Sequence, residues 1–284
     1  MNLEFWSRML SIRARRLLNP EPTISIGNRR IKVNLRDGVI GTKLYMERTW
    51  EPELGNLFRR LPLRDTTCVD VGANIGLHTL ELSECVGSNG KVLAYEPDPY
   101  NFSLLTKNIL VNEAANVVTQ RIAIGESNGE VLLWHNPWNF GDHRVEASAR
   151  PGERYDSVAI RTLDSVTMSI LPGKIGLIKV DVQGYDFFVL KGMTKTLERN
   201  AQVVLVVEVS PVLLKNAGTS ATEFLTHLRE LAFDGWELHE HRFFPLLAPG
   251  NYEYMDEHAD VNLVLSRNPA ALLPLLRACF DLRS

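Results

Sequence analysis

Between Thr67 and Phe102 the chain concentrates residue types that could do chemistry. Val69-Asp70-Val71-Gly72-Ala73-Asn74-Ile75-Gly76 is a glycine turn set between an apolar stretch of strand character and a helical stretch. Glycines there let the backbone approach a ligand, and the following helix offers free N–H groups to an anion. Twenty residues past Gly76, at the end of the next apolar strand, stands Glu96, where a carboxylate can accept both hydroxyls of a ribose. The nicotinamide fingerprint needs three glycines as G-x-G-x-x-G, whereas Asn74 lies between Gly72 and Gly76 here. Asp70 would also repel a diphosphate. A carboxylate at that position can receive an ammonium group, and the turn can receive a carboxylate. A ligand that joins an amino acid to a ribose meets both demands, and S-adenosylmethionine is such a ligand.

The order of further motifs carries a resemblance. Cys68 to Thr79, Ala94 to Phe102, Lys107 to Asn112, Thr162-Leu163-Asp164 and Ile178 to Asp186 together resemble the FkbM family of methyltransferases, over about Trp50 to Ser266. The resemblance implies a class I α/β fold: a Rossmann-like, seven-stranded, mostly parallel sheet with helices on both faces and a final hairpin, Trp236 to Leu265, that supplies an antiparallel strand. It implies S-adenosyl-L-methionine as donor, S-adenosyl-L-homocysteine as product, and methylation of a hydroxyl on a sugar, glycan or natural product. Position by position, Asp70, Gly72, Asn74 and Gly76 would surround the methionine part, Glu96 the ribose, and Ala123 with its neighbours the adenine, with Pro97 also in the donor set. Asn101 belongs to the same donor set, although asparagines at helix ends often serve as caps alone.

For the acceptor side, Asp181 stands at the carboxyl end of a central strand, the edge at which open α/β sheets bind ligands. The family pattern there is Asp-x-Glu-Gly-x-Glu, and this chain has Asp181, Gln183 and Asp186. Asp186 is then either a base or a first-turn helix charge. The segment Trp134 to Arg144 mixes Trp134, Trp138 and Phe140 with His135, Asp142, His143 and Arg144, a composition suited either to covering a sugar ring or to an exposed loop whose tryptophans pack inward. His143 is the histidine candidate for the general base. His78 reads as a core or positioning histidine, Glu51 as a residue within reach of donor or acceptor or else a surface glutamate. His227, His239, His241 and His258 lack metal-ligand spacing, so no metal is expected. A non-catalytic donor-binding module of the same fold is the alternative function.

The elements that must position these residues follow from periodicity. Thr23 to Ile26 and Ile31 to Leu35 flank Gly27-Asn28 as a hairpin, and Glu53 to Arg60 is helical. From Thr67 onward strands and helices alternate: Thr67 to Val71, Ile75 to Val86, Lys91 to Tyr95, Asn101 to Val111, Val117 to Ile124. That is the rhythm of a parallel sheet. Gly129 to His135 and Ser157 to Arg161 are extra strands around a long segment. Ile175 to Val182, Phe187 to Arg199 and Gln202 to Val209 resume the alternation. We divide the chain into an extension over 1–50 and a methyltransferase domain over 51–284. The first twenty residues read as a basic amphipathic helix that packs on its own domain or a second subunit, with a peripheral membrane contact as the lesser option.

Composition sets the outer bounds. The 284 residues are 45% hydrophobic and 23% charged, the balance of a globular protein. Lys+Arg 31 against Asp+Glu 34 gives a net charge of -3, so no chain-wide positive field gathers nucleic acid. An enzyme methylating base amino groups would favour Asp/Asn-Pro-Pro-aromatic where this chain has Asp181-Val182-Gln183-Gly184. The expected partner is a small molecule or glycan. Cys68, Cys85 and Cys279 are odd in number and far apart, which suits packing thiols in a cytoplasmic protein. No apolar run approaches the roughly 20 residues of a membrane span.

Overall fold

The computed structural model describes residue 12 and residues 15–239, 242–246 and 260–279. The first sheet element is the expected hairpin, β1 (Thr23–Ile26) and β2 (Arg29–Lys32), paired antiparallel around Gly27-Asn28. Two helices follow, α1 (Ile40–Glu47) and α2 (Pro52–Arg60). The hairpin does not stand apart. Ile24, Ile31, Val33, Leu35 and Leu44 share one apolar cluster with Ile75, Leu80 and Leu104 of the main body.

The β-branched runs form the centre of a large sheet. β3 (Thr67–Val71), β10 (Ile175–Val180) and β11 (Val204–Val209) are buried almost throughout, which requires cover on both faces. β4 (Lys91–Tyr95), β5 (Val117–Gln120), β12 (Asp234–His239), β13 (Arg242–Pro245) and β14 (Val261–Ser266) complete it. The order is β13-β12-β14-β11-β10-β3-β4-β5. The five strands from β5 to β11 run parallel, and β14 enters antiparallel between β11 and β12. This is the class I methyltransferase arrangement with eight strands instead of the expected seven. The extra one arises because Arg242–Pro245 turns back on β12 and adds an antiparallel edge.

Alternate residues of the central strands feed opposite layers, as the two-residue period demands. Ile178, Val180, Leu205 and Val207 join one core with Phe224, Leu225 and Leu228 of α9 (Ala221–Glu230). Leu177, Val204 and Val206 join the other, with Leu57 and Phe58 of α2, Leu82 of α3 (Leu77–Val86) and Leu276 of α10 (Pro269–Cys279). The remaining helices are α4 (Pro99–Val111), α5 (Leu163–Thr167), α6 (Asp186–Lys191), α7 (Thr194–Arg199) and α8 (Pro211–Asn216). Cys68 belongs to the second core and Cys85 and Cys279 pack against it. Burial pushes the Cys68 and Cys85 thiols up to about 12 and about 11, so both are packing groups rather than nucleophiles.

The single strand expected over Val117 to Ile124 is split. β5 stays at the sheet edge with alternating half-exposed residues, while β6 (Ala123–Ile124) is buried and leaves for a second sheet. That sheet has the order β6-β9-β7-β8, with β7 (Gly129–Trp134), β8 (Arg144–Glu146) and β9 (Tyr155–Arg161). Of the helix expected in the first twenty residues, only residues 12 and 15–18 are described, and these are helical. Ile12 is buried and Leu17 and Leu18 are exposed. The rest of that helix, and the contact expected of it, lies outside the described residues. None of the described helices is long and apolar enough to cross a membrane.

Candidate active site

The carboxyl ends of β3, β4, β10 and β11 open into one cavity, and most of the residues singled out by type line it. They include Asp70, Gly72, Asn74, Glu96, Pro97, Asn101, Ala123, His143, Asp181 and Gln183. Gly76 is not in the wall but shapes it: its φ is +91°, and a side chain there would press on Leu105 Cδ1 at 2.6 Å. Gly72, at φ +80°, lies so close to the end of β10 that a Cβ would collide with the Asp181 carbonyl oxygen. Glycine is therefore obligatory there on two counts.

Two buried polar atoms in the wall residues have no partner among the described residues, Asp70 Oδ1 and the Tyr95 hydroxyl. The other Asp70 oxygen accepts from Thr79 Oγ1 at 2.5 Å. An unpaired buried acceptor is costly, and an ammonium group would satisfy it. Glu96 accepts N–H groups from Asn74 (2.8 Å) and Asp98 (2.9 Å), one on each carboxylate oxygen. Each oxygen keeps a second lone pair for a hydroxyl. Burial, aided by Asp98, pushes the Glu96 carboxyl up to about 8. The residues present thus fit a ligand carrying an ammonium group and a ribose.

Asp98 fixes the next corner. Its Oδ1 caps α4 by accepting the N–H groups of Tyr100 and Asn101, while its Oδ2 faces His135 Nδ1 at 3.1 Å and His143 Nε2 at 3.7 Å. Asn101 donates to the Phe140 carbonyl at 2.7 Å and so ties α4 to the loop over residues 136–143. That loop also accepts from Gly38 N–H through the Trp138 carbonyl, and Phe140 N–H donates to Asp37. Residues 37–40 and 136–143 together roof the cavity.

His143 is not placed to act as a base. Its Nδ1 accepts the Asn136 backbone N–H at 3.0 Å, so its hydrogen sits on Nε2, the nitrogen that faces Asp98. A neutral His143 then has no lone pair left for a substrate proton, and burial keeps it neutral by lowering its pKa. The same tautomer argues against a cation held by Asp98, His135 and His143, although their ligand atoms lie within 4.8 Å of one another. Asp186 lies apart from the cavity wall, and its oxygens accept the N–H groups of Val182 (3.1 Å) and Gly184 (3.0 Å). It clamps the turn after β10.

Asp181 does reach the cavity, within a dense charged group. Burial alone would raise its pKa, but Lys179 Nζ at 2.9 Å holds it down at about 2. Gln183 bridges it to Glu208, with Nε2 at 3.0 Å from Asp181 Oδ1 and 2.6 Å from Glu208 Oε2. The neighbouring Asp181 charge, with burial, drives the Glu208 carboxyl well above its ordinary value, so the pair shares one proton. Glu51 completes the group. Its Oε2 lies 2.8 Å from His78 Nε2, and the other His78 nitrogen is 3.0 Å from Glu81. Burial opposes a charge on His78, yet its two glutamates raise it to about 9. Glu51, Asn74 and Gln183 are all left-handed, at φ 39°, 50° and 54°, backbone strain gathered around one cavity.

Comparison with known proteins decides the family. The methyltransferase FkbM domain matches residues 70–234. The chain belongs to that family. A relative from Haloferax volcanii, the hexuronic acid methyltransferase AglP, is 33% identical over 138 residues, covering 47% of this chain and 52% of that protein. The methyltransferase sdnD of Sordaria araneosa is 29% identical over 154 residues, 44% of this chain and 59% of that one. The chain thus spans little more than half the length of the curated relatives it matches. Among solved structures, the FkbM methyltransferase from Methylobacillus flagellatus is similar at a TM-score of 0.43 and 18% identity, over 71% of this chain and 44% of that one.

Glu208 and Lys179 were missed by sequence reasoning. Their signal was a lone charge inside an apolar run, Val-Leu-Val-Val-Glu-Val and Ile-Gly-Leu-Ile-Lys-Val, which a buried strand tolerates only with a partner. Of the loop aromatics, Trp134 has its ring under Arg144 and Arg150, whereas Trp138 is 76% exposed.

Proposed function

We propose that the chain is an S-adenosylmethionine-dependent methyltransferase that methylates a hydroxyl of a sugar, free or carried by a glycan or natural product. The observation that carries this reading is the buried, unpartnered Asp70 Oδ1 in the wall of the cavity that Glu96 also lines. The donor, when bound, supplies a methyl group on a sulfonium centre that departs as a neutral thioether. Asp70 would hold its ammonium group, Glu96 its ribose hydroxyls, and Ala123 and Pro97 would flank its base. The close turn at Gly72 brings that ligand against the end of β10, where Asp181, held ionised by Lys179, offers a fixed negative charge. Alignment of acceptor oxygen, methyl carbon and sulfur then supplies much of the rate.

Two observations favour a sugar. The Haloferax volcanii relative is named for a hexuronic acid, and the exposed ring of Trp138, beside Asn139 and Phe140 of the cavity wall, offers an apolar face to a pyranose. The test pairs calorimetry with a transfer assay. S-adenosylhomocysteine should bind and NAD should not, and methyl-labelled donor incubated with methyl hexopyranosides and methyl hexuronopyranosides should yield ring methyl ethers by mass spectrometry. A methyl ester of the uronate would move the reaction from hydroxyl to carboxyl. Donor binding without any transfer would favour the non-catalytic module, and tighter binding of NAD would overturn the donor assignment.

A further inference from the structure

We propose that Glu51, from the segment ahead of the family-matched region, takes the acceptor's hydroxyl proton and that His78 is its positioning residue; this rests on the methyltransferase reading above. Among the acids of the cavity that are neither exposed nor assigned to the donor, Glu51 joins a fixed position to a carboxylate oxygen held only weakly by the described residues. Its Oε2 is occupied by His78 (2.8 Å) and by Trp50 Nε1–H (3.1 Å). Its Oε1 accepts, among the described residues, one long hydrogen bond, from Asn262 at 3.2 Å. Asp181 has Lys179 on one oxygen and Gln183 on the other, and Glu208 holds the proton that the pair shares.

The backbone supports the assignment. Glu51 occupies the N-cap position of α2 with φ 39° and ψ 56°, and its side chain makes no capping bond. A residue that gives up the usual cap and accepts left-handed strain is held there by its other contacts. Those contacts continue behind it. His78 is buried and bonded to Glu81, and Glu81 is ion-paired to the buried Arg29, which also grips Glu84. The imidazole therefore cannot rotate away from Glu51. In the transfer, the acceptor oxygen forms the new bond to carbon and the carbon–sulfur bond breaks with its electron pair on sulfur. The O–H proton passes to Glu51, which becomes a neutral carboxylic acid.

The groups facing Glu51 are His78 from α3, Lys179 from β10 and Asp181 just past its end, Glu208 from β11 and the neutral Asn262 from β14, with Asp260 also in the wall. The experiment begins without an acceptor. In the 15N-histidine spectrum of the whole chain, His78 should titrate well above the ordinary imidazole range, and Glu51→Gln should bring it down. An ordinary titration in the wild type would overturn the proposal. Turnover is then measured with methyl hexopyranosides, with S-adenosylhomocysteine binding as the check that each variant is folded. Glu51→Gln should lose about a hundredfold in kcat with donor affinity unchanged, and Glu51→Asp should recover part of it. His78→Asn should move the acid limb of the kcat profile to higher pH, because the imidazolium no longer lowers the Glu51 pKa.

Full activity of Glu51→Gln across the pH range would overturn the assignment, and so would loss of donor binding in that variant. No donor binding or no transfer by the wild type would overturn the methyltransferase reading and the base with it. Wild-type transfer beside a fully active Glu51→Gln would overturn the base alone.

Discussion

Glu96 holds a carboxyl at the end of β4 that burial keeps largely protonated near neutral pH, with a pKa of about 8. Ribose hydroxyls donate to the ionised form, so donor binding should lower that pKa and release a proton. Affinity for S-adenosylhomocysteine should accordingly rise as pH increases from 6.5 to 8.5, and calorimetry in two buffers of different ionisation enthalpy should count the proton released. Glu96→Ala should weaken binding by about 1.5 to 3 kcal/mol, the scale of losing hydrogen bonds to a charged acceptor. Normal binding by that variant would remove Glu96 from the site. Asp70, Gly72 and Glu96 were readable in the sequence because strand, turn and strand end are contiguous, so their meeting needs only local geometry. Glu51 was not readable as a site residue. Its meaning depends on His78, Asn262 and the ends of β10 and β11, and no local pattern brings those together.

At the scale of elements, the turn after β10 depends on its own clamp. Gln183 and Gly184 both have positive φ, at 54° and 93°, and Asp186 bonds the N–H groups of Val182 and Gly184 across them. Asp186→Ala would leave two N–H groups without their acceptor, one of them in a buried bond, and should destabilise the fold by about 2 kcal/mol or more. Urea unfolding measures this directly. An unchanged midpoint with lost turnover would return Asp186 to the catalytic set. Elements were legible where one physical signal dominated. The buried runs of β3, β10 and β11 fixed their strand character, whereas the helix expected from Asn101 begins two residues earlier, at Pro99, where Asp98 caps it. The split of β5 from β6 and the extra edge strand β13 left no such mark, because both depend on which sheet a short segment can reach.

For the whole molecule, three buried groups act on stability in the same direction. Glu96 and Asp186 have folded-state values raised to about 8 and about 7, and His78 to about 9. Each binds its proton more tightly folded than unfolded, so each contributes stability at low pH that is lost as pH rises through its folded value. The melting midpoint of the unliganded protein should therefore fall between about pH 5 and pH 9, and S-adenosylhomocysteine should reduce the fall by ionising Glu96. A midpoint that rises over that range would contradict these assignments. The cavity itself is a product of the whole chain, walled by residues as distant as Val39 and Asp260, which is why composition and motif order gave the class of ligand but not the full wall. The insertion of β14 between β11 and β12 also matters while the chain is being made. On the ribosome, β11 and β12 emerge first and cannot acquire their shared neighbour until residues 261–266 follow. Until then the Val-Leu-Val-Val-Glu-Val strand offers an open apolar edge of the kind that pairs with other chains. A nascent chain stalled before Val261 would lack both the strand that closes that edge and Asn262, the partner of Glu51.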